Sequence, residues 1–502
     1  MVSAKLLLGG SFLRVFTLIA NVVIAFLLMP YVIGKLGDEW YGLWVFAGSL
    51  ITYLSILDVG LSAATQRFYS YHLPQNNHRK LNAVLSTTFF IFLGISFLIA
   101  AAAFTVAYVG MALFDSEEIK KAFYFTTLIL GLSLAVNLPL YSFYGILTSN
   151  FRYDYTSYIQ LIKLIIRTSL IVILLENEHG VIYLAGATAI TEVIGTVFLL
   201  FFTYKIAPWT KVRIRYIEKE NIKEYFIFGI FAFLASNIEK TRFNLGNILS
   251  GTLLTLTSVT SYNIALKLCE YYFMLVQSIL GFSTPMLTQS YAQDDGKETS
   301  RKYIFLIKAS GIFAVTGAIA LIPTVEVLIN LWLGAEYPDA TMIFYVLIGA
   351  FALASVHNPS MSIYISLSKQ KGISLVMLIE LFTTIVFSII LTPKYGLIGI
   401  AFAAGGSWLL TSLFAHPYLI AKYLKISLFA IHKLNMIFIL FGSAASYVGL
   451  YLVENLFEND IYSMMFIYLA YTPFVFFVLS AIILDNSQKS MIISLVKRRQ
   501  QV

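Results

Sequence analysis

The sequence predicts an all-α, polytopic membrane protein, and three observations lead there. The 502 residues are 59% hydrophobic and 12% charged, against roughly 25% charged in a water-soluble domain. Apolar runs of about 20 residues recur from end to end, each long enough to cross a hydrocarbon core about 30 Å thick. The runs are continuously apolar rather than alternating, which excludes a transmembrane barrel. Lipid offers the backbone no hydrogen-bonding partner, so the runs must be helices.

Fourteen spans are expected, near residues 9–33, 41–65, 82–112, 122–149, 156–176, 181–204, 225–250, 258–286, 304–333, 341–367, 373–392, 397–421, 434–453 and 462–484. The loops after even-numbered spans and the tail collect the basic residues, among them Arg79, Lys80, Arg152, Lys205, Lys211, Arg213, Lys219, Lys297, Arg301, Lys369, Lys422, Lys497, Arg498 and Arg499. The opposite loops are acidic, as in Asp115-Ser116-Glu117-Glu118 and Glu176-Asn177-Glu178. Lys and Arg are retained on the cytoplasmic side. Both termini are therefore expected there, which requires an even number of spans. The net charge of +8 is thereby a topology signal, and no basic folded face or long basic arm points to nucleic acid. Met1 to Gly10 leads straight into a span, so no cleavable signal peptide is expected.

Two segments repeat in style about 216 residues apart. His179-Gly-Val-Ile-Tyr-Leu-Ala-Gly-Ala-Thr opens span six, and Tyr395-Gly-Leu-Ile-Gly-Ile-Ala-Phe-Ala-Ala opens span twelve. An even number of spans between the copies predicts a parallel repeat of two pseudo-symmetric six-helix lobes with a central cleft. The expected organisation is a first lobe over 1–205, a cytoplasmic linker over 206–224, a second lobe over 225–425, and two extra helices with a basic tail over 426–502.

Ionisable side chains inside spans cost at least about 2.5–3.5 kcal/mol at the bilayer centre and so face water or a partner. The cations are Arg14, Lys163, Arg167, Lys240, Arg242 and Lys267; the acids are Asp58, Glu192, Glu239, Glu270 and Glu380. Some have a structural explanation. Arg14 and Asp58 could snorkel, and Glu239–Arg242 and Lys267–Glu270 are spaced i,i+3 as local pairs. Lys163 and Arg167, one turn apart, have no acid on their own helix. A cation surplus inside a membrane calls for an anion, and a phosphate group supplies one. The six cations are accordingly the expected substrate-binding set. Asp58, Glu192, Glu239 and Glu270 are the expected pairing or coupling acids.

Several functions lose their basis. No G-x-x-x-x-G-K-[ST] loop is present for ATP hydrolysis. No His or Cys cluster has metal-ligand spacing, and the single Cys269 rules out an internal disulfide. Asp294-Asp295 reads as a solvated turn, and His357 beside Asn358-Pro359 as a helix kink. Neither a cofactor nor a metal is expected.

The first two spans carry a pattern: Leu28-Met-Pro-Tyr-Val-Ile-Gly-Lys-Leu-Gly-Asp-Glu-Trp-Tyr-Gly-Leu-Trp, then Ser55-Ile-Leu-Asp-Val-Gly-Leu-Ser-Ala-Ala and Arg67-Phe. This resembles the Wzx-type polysaccharide (O-antigen) flippases of the multidrug/oligosaccharidyl-lipid/polysaccharide (MOP) exporter superfamily. The resemblance implies two six-helix lobes around a cationic cavity, with Arg14 at a cavity position. It also implies a lipid groove beside the second lobe, as in the lipid II flippase branch. The implied substrate is an undecaprenyl-diphosphate-linked oligosaccharide passed to the outer leaflet of the bacterial inner membrane. An H+ or Na+ gradient is the implied driving force. Membrane lipids, a polysaccharide polymerase and glycosyltransferases are the implied partners. Two other readings stand beside it. A cation-coupled multidrug exporter would want an acidic cavity. A membrane glycan polymerase or ligase, an enzyme, would want a large outer loop, and none occurs.

Overall fold

The computed structural model describes residues 4–55, 61–75, 77–177, 180–280, 283–293, 296–367, 369–456, 461–486 and 488–489; the side chains of 4–12, 61, 226, 228–242, 370, 371 and 456 lie outside that description. Helix dominates, and the described residues contain no strand. The chain falls into two compact units, Met1–Thr260 and Ser261–Val502.

Unit 1 holds α1 (Ala4–Leu36), α2 (Asp38–Leu54), α3 (Leu61–His72), α4 (His78–Gly110), α5 (Glu117–Asn137), α6 (Ser142–Ser149), α7 (Tyr153–Glu176), α8 (Val181–Ile206), α9 (Ile222–Leu253) and the first turn of α10 (Leu256–Ile279). Glycines set its tight points. Gly37 turns the chain between α1 and α2 at φ 82°, a left-handed conformation that L side chains rarely adopt. At Gly42 a Cβ would collide with the Leu256 carbonyl, so only glycine lets α2 meet the start of α10. The Thr260 hydroxyl then donates to the Asp38 carbonyl at 2.6 Å. The Tyr-Gly-Leu-Trp pattern of the sequence is thus a docking surface, with Leu43 and Phe46 fully buried beside it.

The segment 206–221 is tied to α4. Asn82 donates to the Trp209 carbonyl at 3.1 Å and accepts from the Lys211 amide at 2.9 Å. Ser86 accepts from the Arg213 amide at 3.1 Å, and Thr87 from the Glu218 amide at 3.0 Å. These α4 side chains are buried. They satisfy backbone groups that would otherwise be stranded against the helix.

Unit 2 holds the rest of α10, then α11 (Ser283–Gln293), α12 (Lys297–Leu321), α13 (Val325–Leu333), α14 (Pro338–Val356), α15 (Asn358–Ser366), α16 (Gln370–Leu410), α17 (His416–Leu424), α18 (Leu428–Leu456), α19 (Ile461–Phe466) and α20 (Thr472–Ile483). α16 is two helices meeting at Gly396 (φ 56°), just after Pro393; both copies of the sequence repeat thus open a helix after a glycine. His357 marks the break between α14 and α15, with Pro359 in the first turn of α15. α18 and α20 pack on α12. Gly311 of α12 lies under the Phe438 ring, and Gly442 of α18 against Val315. Small residues at such crossings allow close helix approach in a membrane. The last two expected spans are therefore built into the packing of this unit.

Among the described residues ten helices are long and apolar enough to cross a membrane, and the bent α10–α11 pair makes eleven. The difference from fourteen has physical causes. α2 has 17 residues, and α9 carries Glu239, Lys240 and Arg242 near its middle. The stretch Gly372–Leu424, 53 residues long, contains both expected spans on either side of Gly396. The two-unit division falls at Thr260 rather than in the expected 206–224 linker, because α9 packs on α2 and α3.

Candidate functional site

In unit 1 the intramembrane charges gather on α1, α7 and α8. α1 runs parallel to α7: the Tyr31 hydroxyl lies 3.2 Å from the Val172 carbonyl and donates to Glu176 Oε1 at 2.8 Å. Carried down the helices at about 1.5 Å per residue, this register sets Arg14 roughly 9 Å below Lys163 and roughly 15 Å below Arg167. Arg14 is exposed, and among the described residues no carboxylate pairs with it.

Lys163 differs from the expectation of an unpaired cation. Its ammonium meets Glu192 of α8 at 2.6 Å, both side chains about one quarter exposed. Gly195, one turn further along α8, lies against the Lys163 stem, and a Cβ there would strike it. α8 is thus shaped to hold the lysine across it. Arg167 is exposed, and among the described residues it makes no ion pair. The result is one tight pair with an uncommitted guanidinium a turn away. An arriving phosphate would find bidentate donors at Arg167 and an ammonium that can be shared with Glu192.

At the base of α7, Arg152 binds Asp154 through two hydrogen bonds of 2.9 and 2.7 Å and lies 3.6 Å above the Tyr155 ring. The hydrogen bonds that Arg152 donates to Asp154 hold its guanidinium above its ordinary pKa. Lys205 sits over the same ring at 6.0 Å.

In unit 2, Lys267 pairs with Glu270 at 2.6 Å, the i,i+3 arrangement expected as a structural alternative. Glu380 is buried and accepts from the Thr411 hydroxyl at 3.2 Å, where the helix widens into a π-turn over Thr411–Ala415. Asp58 lies outside the described residues, as do Asp294 and Asp295 and the side chains of Glu239, Lys240 and Arg242. The structure thus brings Lys163 and Glu192 together, with Arg167 one turn from Lys163 on α7, places Arg14 further down on α1, and leaves Lys267–Glu270 a local pair in the other unit. No group of three or more metal-ligating side chains occurs among the described residues.

Sequence reasoning missed Lys308. It is a buried lysine of α12 held by Asp485 at 2.9 Å and Gln488 at 3.3 Å, both just past α20. The signal was available as a lysine inside the otherwise apolar run that opens span nine.

Unit 2 also contains an apolar cavity of about 460 Å3 between α12, α14 and α18, lined by Val315, Ile322, Val346, Leu353, Phe438 and Gly442 among others.

Comparison with known proteins agrees with this architecture. The structure superposes on the lipid II flippase MurJ in an inward closed conformation with a TM-score of 0.71, at 15% identity and covering 95% of this chain and 98% of that one. An inward-facing multidrug resistance MATE family transporter of the MOP superfamily gives 0.63, at 13% identity, covering 80% and 99%. A relative from Bacillus subtilis (strain 168), the uncharacterized membrane protein EpsK, is 22% identical over 426 residues, 80% of each chain. The fold is the one these two solved structures share. The family described as polysaccharide biosynthesis protein matches residues 38–342, more than half of the chain, and the protein belongs to that family.

Proposed function

We propose that the protein is a flippase. It passes an undecaprenyl-diphosphate-linked oligosaccharide, of the O-antigen or capsule type, from the cytoplasmic to the outer leaflet of the bacterial plasma membrane. The observation that carries this reading is the group Arg14, Lys163 and Arg167 on the adjacent helices α1 and α7, with Glu192 committed to one of the three cations. A diphosphate brought toward the bilayer centre needs positive charge beside it, because an isolated ion there is costly. Arginine meets phosphate with a planar pair of donors. The apolar cavity of about 460 Å3 in unit 2 suits a stretch of polyprenyl chain. Movement follows by alternating access around the bound headgroup, with an ion gradient as the driving force.

The test is translocation of a fluorescent lipid-diphosphate-linked oligosaccharide in vesicles containing the purified protein. Arg14→Ala and Arg167→Ala should each cut the rate at least about tenfold, the equivalent of roughly 1.4 kcal/mol. Full rates in both variants would remove the cationic group from the mechanism. Efflux of cationic drugs with no lipid translocation would select the multidrug-exporter reading instead.

A further inference from the structure

We infer that unit 1 carries a second binding site, for a neutral saccharide, at the end where α1 and α7 finish and α5 and α8 begin. Under the proposed topology this is the outer face. A cavity of about 750 Å3 opens there, and its lining includes Lys35, Trp40, Glu118, Lys121, Glu176 and Tyr183. That volume is in the range of ligand sites, about 300–1,000 Å3. The site is separate from the Lys163–Glu192 group, which lies two turns or more down the same helices.

The lining says what would bind. Among the described residues of the lining, two lysines and two glutamates cancel in formal charge. A site for a phosphate would show a surplus of cations, as the α1–α7 group does, and a site for a lipid tail would not carry four ionised groups. What remains is a ligand that both donates and accepts many hydrogen bonds without bearing charge, and a sugar's hydroxyls do both. Charged partners strengthen each such bond. Trp40 and Tyr183 supply aromatic surface with a polar handle, against which the C–H face of a pyranose ring can lie. Trp40 is half-buried on the Leu43–Phe46–Phe123 core, so its ring is held in place before any ligand arrives.

Part of the polar lining is also fixed in advance. Glu176 accepts from the Tyr31 hydroxyl at 2.8 Å and meets Lys35 at 3.1 Å. Glu118 and Lys121 are exposed at the start of α5, and among the described residues neither is in an ion pair, so both are available to a ligand. Gly180, the residue before α8, has no side chain to cap the helix, which leaves the Val181 and Ile182 N–H groups as further donors, the Tyr183 N–H being bonded to the Gly180 carbonyl at 3.1 Å.

The inference rests on the proposed function for the origin of the sugar, a glycan emerging on the outer face, but its test needs no transport. Purified full-length protein in nanodiscs would be titrated with chitotetraose, maltotetraose and cellotetraose, with tetragalacturonate as the charged comparison. Binding would be read by calorimetry and by saturation-transfer NMR. At least one neutral tetraose should bind. Tyr183→Ala and Lys121→Ala, both at exposed positions, should each weaken it about tenfold. Leu469→Ala, exposed in unit 2, should leave it unchanged. Absence of neutral binding, binding of tetragalacturonate alone, or full binding in both variants would overturn the site. Translocation measured on the same preparations separates the two ideas. Binding without flipping keeps the site and removes the transport reading; flipping without binding does the reverse.

Discussion

Glu192 is the residue on which the charge balance of α7 turns. Its partner Lys163 sits 29 positions earlier on another helix, so no spacing rule within one helix could have shown the pair. Both residues were legible as intramembrane charges, and only their meeting was not. The same holds for Gly42, visible in a motif but explained by a carbonyl more than two hundred positions away. Because each charge of the pair is only partly exposed, removing one strands the other. Glu192→Gln should therefore lower the thermal unfolding midpoint in detergent. Adding Lys163→Gln should recover part of the loss, with a coupling of about 0.5–3 kcal/mol in a double-mutant cycle. Equal, additive losses would mean that the two charges do not stabilise one another.

At the scale of elements, the segment 206–221 behaves as part of α4. The sequence shows a long polar, basic stretch and predicts a linker. It does not show that Asn82, Ser86 and Thr87, polar residues near the start of an apolar helix, exist to hold that stretch. Asn82 alone satisfies one backbone carbonyl and one backbone amide. Asn82→Ala would remove the partner of both, at a cost of about 0.5–1.5 kcal/mol per hydrogen bond. The expected result is a lower unfolding midpoint and faster amide exchange confined to residues 207–213. Unchanged exchange there would show that the segment is held by other contacts. The helix hairpin about Gly396 was readable from Pro393 and Gly396 themselves. By contrast, the Lys308–Asp485 contact joins positions 177 residues apart, and only folding brings them together.

For the whole molecule, hydropathy reached the membrane class, and the N-terminal pattern reached the polysaccharide biosynthesis family. The division into units was less accessible, since it depends on which neighbours α9 touches, and its sequence is equally compatible with either side. The topology itself is open to a direct check. Single cysteines placed at Glu118 and at Lys219 in a Cys269→Ala background should differ in reaction with a membrane-impermeant maleimide. The first should label in intact cells and the second only after permeabilisation. Labelling in the opposite sense would invert the assignment of faces, and with it the direction of transport.

The docking of 206–221 on α4 has one more consequence, for proteolysis. Six basic residues from Lys205 to Lys223 inclusive would make this the obvious place for trypsin to nick the native protein. A protease cleft, however, accepts a chain in extended form, and here the backbone amides of Lys211, Arg213 and Glu218 are already engaged by α4. The stretch should stay whole under brief digestion, and cleavage there should report that α4 has let go.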